Sequence, residues 1–238
     1  MHLRRLQNDR SYRRQEGEYV CDGLKLLREA IVCGAELGSV LWGGDQCLEL
    51  PADVRQFSAP VELLHYTSPL VNGPGPLFTV RIPEPDAKSR PRRVIVLENL
   101  QDPGNVGTVI RTADALCTDL VVLTGACADP WGPKAARAAM GALFRLRLLE
   151  LPLEELTAAL REWELPLYGA ALSPRAADLR NVDLRNAAVA VGNEGHGLSE
   201  ELLAGCSGEV IIPMSSQSES LNAATAAAIV MWEMRRGG

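Results

Sequence analysis

The sequence predicts two α/β domains, a small N-terminal one and a larger C-terminal one built on a parallel sheet. Three observations carry this. Beyond residue 94, short apolar runs alternate with amphipathic stretches. That is the pattern of strands and crossover helices covering a parallel sheet on both faces. Residues 82–93, IPEPDAKSRPRR, hold three prolines among mostly charged residues and show no apolar periodicity, as an extended linker does. Finally, 238 residues at 47% hydrophobic and 23% charged suffice for a real core. Folding at this length buries roughly 70–75% of the unfolded surface. Collagen-like, coiled-coil and disordered chains are excluded by the same composition. The expected organisation is 1–82, a linker at 83–93, and 94–238.

In the first domain, residues 18–21 predict a short strand. Residues 23–33 space Leu24, Leu27, Ala30 and Ile31 as a helix does. A strand is expected at 39–42, a helix at 52–57, and strands at 61–66 and 77–82. Between the last two lies a turn-rich loop, PLVNGPGP at 69–76. In the second domain, strands are expected at 94–97, 119–123, 146–149, 166–172, 187–191 and 209–213. Helices are expected at 105–117, 133–143, 152–163, 199–205 and 220–236. Ligands of such sheets bind at the carboxyl ends of strands, which directs attention to the loops after Leu97, Leu123, Val191 and Pro213.

Charge is unevenly shared. Residues 1–93 hold 13 Lys and Arg against 12 Asp and Glu, while residues 94–238 hold 11 against 18. The opening segment carries Arg4, Arg5, Arg10, Arg13 and Arg14 against one acid, Asp9. Either it meets a polyanion or it is a solvated helix face. The six cysteines form no C-x-x-C pair and have no matching histidines, so no metal site is expected and the thiols are expected to be reduced. No apolar run reaches the ~18 residues of a membrane span. The charged start has no apolar h-region, so it is not a secretory signal and a cytoplasmic location is expected.

Three stretches carry candidate chemistry. After the strand at 94–97 comes ENLQDPGNVGTVIRTADA, residues 98–115. Pro103 and Gly104 force a turn, and Asn105 is a good helix cap. Val106, Val109, Ile110 and Ala113 form the buried stripe, and Arg111 lies off it. Arg111 is placed to meet an anionic group, or else it is a surface arginine paired with Asp114 or Asp102. The glycines do not complete G-x-G-x-x-G, and no G-x-x-x-x-G-K-[ST] is present, which disfavours dinucleotide and NTP chemistry. The second stretch, VGNEGHGLS at 191–199, puts three glycines directly after an apolar strand. A ligand loop uses such a backbone, and a structural turn rarely needs it. The third, at 211–228, ends a strand at Pro213 and starts an alanine-rich helix, which is expected to pack closely on neighbouring backbone.

These strings, DPGNVGTVIRTADA, VGNEGHGLS and IPMSSQSESLNAATAAAI, resemble in order and spacing the three motifs of the SpoU/TrmH-type RNA 2′-O-ribose methyltransferases of the SPOUT superfamily. The resemblance covers roughly 94–236. The segment QEGEYVCDGLKLLREA is similar to the opening of the ribosomal-protein-like RNA-binding domain often fused to them, with Asp22 where glutamate is common. The chain departs from the family at Ala139, where serine is usual, and in a shorter loop at 69–76. The resemblance implies a C-terminal trefoil knot holding S-adenosylmethionine, a homodimer through the catalytic domain, and ribosomal or transfer RNA as substrate. Gly192, Ile212 and Leu221 would contact the cofactor through backbone groups, with Thr124, Gly125, Asn193 and Met214 as neighbours. Arg111 would be central, as base or electrostatic stabiliser. Asn105 would position ribose or phosphate, Glu194 would orient Arg111 or the loop, and Ser220 and Asn222 would complete the surroundings. A base methyltransferase and a non-catalytic RNA-binding or assembly factor are the alternatives.

Overall fold

The computed structural model describes residues 2–45, 48–68, 75–84, 90–215 and 220–236. Most of the 69–76 loop and the middle of the predicted linker lie outside the described residues. The chain forms two compact units. One comprises Met1–Glu84 with Asp129–Arg145, and the other Pro85–Ala128 with Leu146–Gly238. Residues 129–145, expected with the C-terminal domain, thus cluster with the N-terminal chain.

The first unit opens with two helices, α1 (His2–Asn8) and α2 (Arg10–Glu16). Asp9 separates them and caps α2 by accepting from the Tyr12 amide at 3.0 Å. There follow β1 (Glu18–Asp22), α3 (Leu24–Val32), β2 (Leu37–Trp42), β3 (Arg55–Ser58), α4 (Val61–Thr67) and β4 (Leu77–Arg81). Two expectations are corrected here. Residues 55–58 are a strand rather than a helix, pairing in parallel with β2 at the sheet edge. Residues 61–67 are a helix rather than a strand, with Pro60 at its start and Leu64 turned into the core. The sheet order is β1-β4-β2-β3.

Arg13 is not an arm residue. It is 5% exposed, and its guanidinium ion-pairs with Asp129 at 2.5–2.8 Å and donates to the Leu6 carbonyl. Asp129 leads into α6 (Pro133–Ala139), which packs against β1. Burial pushes the Tyr19 hydroxyl well above its ordinary value, and the Tyr19 ring sits 5.0 Å from that of Trp131.

The second unit contains β5 (Arg93–Glu98), α5 (Pro103–Ala115), β6 (Leu120–Thr124), β7 (Leu148–Glu150), α7 (Leu153–Glu162), β8 (Leu167–Ala170), β9 (Ala177–Asp178), β10 (Ala187–Val191), α8 (Glu200–Ala204), β11 (Gly208–Ile211) and α9 (Ala223–Arg235). The two-residue β9 was not expected. The strands form one seven-stranded sheet, β7-β6-β5-β10-β8-β11-β9, every pair parallel. The central strands are apolar throughout, as burial on both faces demands. Val94, Val96, Val122, Ala188 and Ala190 share one cluster with Leu156, Leu160 and Trp163. On the other face α9 packs against α5 and β10. The alanines at 223, 224 and 227 are buried within this chain, so the small side chains serve close packing inside the unit.

Candidate active site

From β5 the chain runs outward one way through β6 and β7, then returns to build β8, β10 and β11 on the other side. A sheet that reverses its winding in this way leaves a crevice at the carboxyl ends beside the first strand. Leu97 pairs with Val191, and Glu98 with Thr124, so the loops after β5, β6 and β10 leave the sheet at one level. The site forms there.

The loop after β5 is set by Glu98, Asn99 and Asp102, none of them among the expected site residues. Glu98, 4% exposed, accepts from the amide and the hydroxyl of Ser199 at 2.7 and 2.5 Å. That pins the far end of the 192–198 loop to β5. Asn99 takes a left-handed conformation (φ 54°), and its side chain accepts from the Ala126 amide at 2.8 Å. Its carbonyl accepts from Asn193 Nδ2 at 3.2 Å. Asp102, not Asn105, caps α5 by accepting from the Asn105 amide at 2.8 Å, with Pro103 in the first turn. An Asp-Pro pair before an apolar stripe is a start signal legible in the sequence.

With Asp102 as cap, the Asn105 side chain is available for another role. Its Nδ2 donates to a carboxylate oxygen of Glu194, and its Oδ1 accepts from Asn222 Nδ2 at 3.1 Å. Asn222 in turn caps α9, accepting from the amides of Ala224 and Thr225 at 3.0 and 3.2 Å. Three expected site residues, drawn from three separate stretches, are thus joined at one point. Glu194 is held by Asn105 and not by Arg111. Arg111 is exposed on α5, six residues beyond Asn105 or about 9 Å along the axis. Among the described residues it makes no hydrogen bond or ion pair, with Asp114, Asp102 or any other group.

Beside this cluster lies a cavity of about 680 Å³. Its wall includes Gly192, Asn193, Glu194, His196, Ile212, Met214, Ser220 and Leu221. Thr124 and Gly125 are not in the wall. Thr124 is buried at the end of β6, and Gly125 turns beneath the Asn99 side chain with φ 67°. The 192–198 loop closes on itself. Asn193 and Gly197 exchange amide-to-carbonyl bonds of 3.2 and 2.8 Å. A Cβ on Gly192 would meet the Gly197 carbonyl oxygen at 2.3 Å. Glycine is required there by backbone approaching backbone.

Residues 92–232 match the SpoU rRNA Methylase family. The chain belongs to that family. Over 144 residues this SpoU chain is 38% identical to a Bacillus subtilis 23S rRNA guanosine 2′-O-methyltransferase, spanning 60% of this chain and 58% of that protein. It is 32% identical to a Synechocystis protein named an uncharacterized tRNA/rRNA methyltransferase, over 94% of this chain and 86% of the other. The solved structure of the SpoU methyltransferase AviRb from Streptomyces viridochromogenes, in complex with the cofactor AdoMet, matches with a TM-score of 0.86. It is 26% identical, and the match covers 99% of this chain and 96% of that one. SpoU membership makes the parallel sheet with its carboxyl-end crevice a methyltransferase domain. Among the described residues no helix is long and apolar enough to cross a membrane, and no cluster of three His, Cys, Asp or Glu is placed to hold a metal.

Proposed function

We propose that this SpoU chain transfers the methyl group of S-adenosylmethionine to a ribose 2′-hydroxyl of ribosomal or transfer RNA, with Asn105, Arg111, Glu194, Ser220 and Asn222 as the catalytic set. The observation that carries the reading is the Glu194–Asn105–Asn222 cluster beside the glycine-lined cavity. The cavity's walls fit the cofactor. Ile212, Met214 and Leu221 offer apolar contact to an adenine. Gly192, Gly195 and Gly197 bring backbone without side chains to the wall, and the carboxylates of Glu194 and Glu209 suit a cationic sulfonium. Thr124 and Gly125 support the site from the adjacent strand through Asn99.

S-adenosylmethionine supplies an electrophilic methyl on sulfur, and a ribose hydroxyl attacks it weakly until its charge is stabilised. Asn105, held from both sides, positions the ribose. Arg111 stabilises the developing alkoxide or anchors the adjacent phosphate. A guanidinium has donors and no acceptor, so the hydroxyl proton passes to solvent rather than to Arg111. Glu194 orients Asn105, and Ser220 borders the cavity where the hydroxyl would lie.

The trefoil knot is supported by the path of the last segment, which returns from β11 beyond β8 to place α9 on α5 and β10. Residues 1–82 carry RNA binding and 94–238 the chemistry. A homodimer forms through the catalytic domain, supported by Trp232 and Ile229 of α9, 61% and 36% exposed. Five cysteines among the described residues hold reduced thiols, which suits the reducing cytoplasm.

The test is transfer from methyl-labelled cofactor to bulk RNA, followed by nucleoside digestion. A 2′-O-methyl nucleoside supports the reading. A methylated base or no product overturns it.

A further inference from the structure

The N-terminal unit holds a second cavity, of about 1050 Å³, between α1, β3 and α4. Its wall includes Arg4, Arg5, Arg55, Phe57 and Tyr66. Every residue of β3 is exposed, Phe57 at 54%, and Tyr66 of α4 is 66% exposed. Rings this open usually have an apolar cover, and here they stand beside guanidinium groups instead.

The groove is built rather than incidental. The Arg4 guanidinium lies 4.4 Å over the Tyr66 ring and donates to its hydroxyl. Gln7 donates to the Thr67 carbonyl at 2.6 Å, so α1 fixes the end of α4 that carries Tyr66. Arg5 lies 3.9 Å over the ring of Tyr12. Arg55 makes no hydrogen bond or ion pair among the described residues. Two of the nearby acids are already engaged. Glu18 pairs with Arg81 at 3.2 Å, and Asp9 caps α2. The wall therefore presents cations beside two exposed rings, Tyr66 with Arg4 over one face, on a protein whose net charge is −6.

We propose that this groove binds an unpaired segment of the RNA substrate, its bases stacked on Phe57 and Tyr66 and its phosphates against Arg5 and Arg55. An A-form duplex keeps base faces stacked internally and offers a protein phosphates and 2′-hydroxyls, so it leaves the rings without a partner. A single strand satisfies rings and cations together. An apolar peptide satisfies only the rings. The inference rests on the reading above that the substrate is RNA. It adds that the target carries a looped-out or single-stranded stretch engaged by this groove.

The experiment titrates the full chain with fluorescein-labelled oligouridylate, whose bases are weakly stacked, and with an oligoadenylate–oligouridylate duplex. Phe57→Ala and Tyr66→Ala each lower single-strand affinity by roughly tenfold, the loss of one stacked base. Arg55→Gln reduces the salt slope by about 0.7 log units, one phosphate contact. Both rings are exposed, so the melting temperature and cofactor affinity stay at wild-type values. Unchanged single-strand affinity in both ring variants overturns the proposal, as does equal wild-type affinity for the duplex. A dimer that dissociates when the two rings are changed assigns the face to a second copy and also overturns it. Nucleoside analysis of the same proteins separates the two readings. Ring-dependent binding without a 2′-O-methyl product refutes the reaction and leaves the groove standing. Product with ring-independent binding refutes the groove alone.

Discussion

Replacing Gly192 by alanine puts a methyl group 2.3 Å from the Gly197 carbonyl oxygen and 2.7 Å from the Leu198 amide nitrogen. Both neighbours are backbone, so no side chain can rotate aside. The far arm of the loop must retreat by roughly 1 Å to reach ordinary contact, an overpacking that costs about 1–3 kcal/mol. Retreat also breaks the paired bonds between Asn193 and Gly197, each worth about 0.5–1.5 kcal/mol. A total of about 4 kcal/mol lowers the melting temperature by about 8–16 °C in a chain of this size. The displaced arm is the cavity wall, so cofactor affinity falls about tenfold or more. Gly195→Ala is the matched control, because its Cβ finds nothing nearer than Asn193 Oδ1 at 3.4 Å. Calorimetry with S-adenosylmethionine beside a thermal melt measures both effects. Wild-type affinity in Gly192→Ala would refute the assignment of this loop to the cofactor.

Arg111→Ala is expected to slow single-turnover methyl transfer by about 10²–10³ while the melt and cofactor affinity hold, since the side chain is exposed and off the buried stripe. Arg111→Lys recovers part of the rate, and turnover of the alanine variant within a few-fold of wild type would eliminate the role. Asn105→Asp sets a carboxylate against Glu194 and abolishes activity. Adding Glu194→Gln restores a donor–acceptor pair with reversed polarity, and its failure to raise the rate would show that the contact is incidental. Arg13→Ala strands a buried Asp129 and destabilises the N-terminal unit by about 3–5 kcal/mol in a denaturant titration; an exposed-arm arginine would cost almost nothing. Burial, with Glu209 and Glu98 nearby, pushes the Cys206 thiol up from 9.0 to about 11. Its protonated form is favoured by the fold, so that contribution is complete below pH 9 and is lost as pH rises to about 11. Cys206→Ala should flatten the fall in melting temperature across that window, and an unchanged slope would exclude the thiol as its source.

Much of the second unit was legible because its strands are buried on both faces. Residues 94–97 and 187–191 are apolar without interruption, and helices of 3.6-residue period fill the spaces between them, so only one sheet type accommodates the pattern. The glycines at 192, 195 and 197 marked the cavity loop for a similar local reason. The first unit was harder. Residues 61–67 form a short apolar run that fits a strand or a helix equally. Packing decided between them, through the single buried Leu64. Residues 55–58 are wholly exposed, and only their parallel pairing with β2 makes them a strand.

The resemblance named Asn105, Glu194 and Asn222, yet nothing local says that they touch. They are separated by 89 and 117 residues from Asn105, and they meet because β5 and β10 lie side by side in register and α9 returns across α5. Asn105 and Arg13 were misjudged for one reason. Whether Asn105 caps its own helix depends on whether Asp102 already fills that position. Whether Arg13 faces solvent depends on an aspartate 116 residues away. Propensity and periodicity are sums over neighbours in sequence, whereas burial and hydrogen-bond partners are set by neighbours in space.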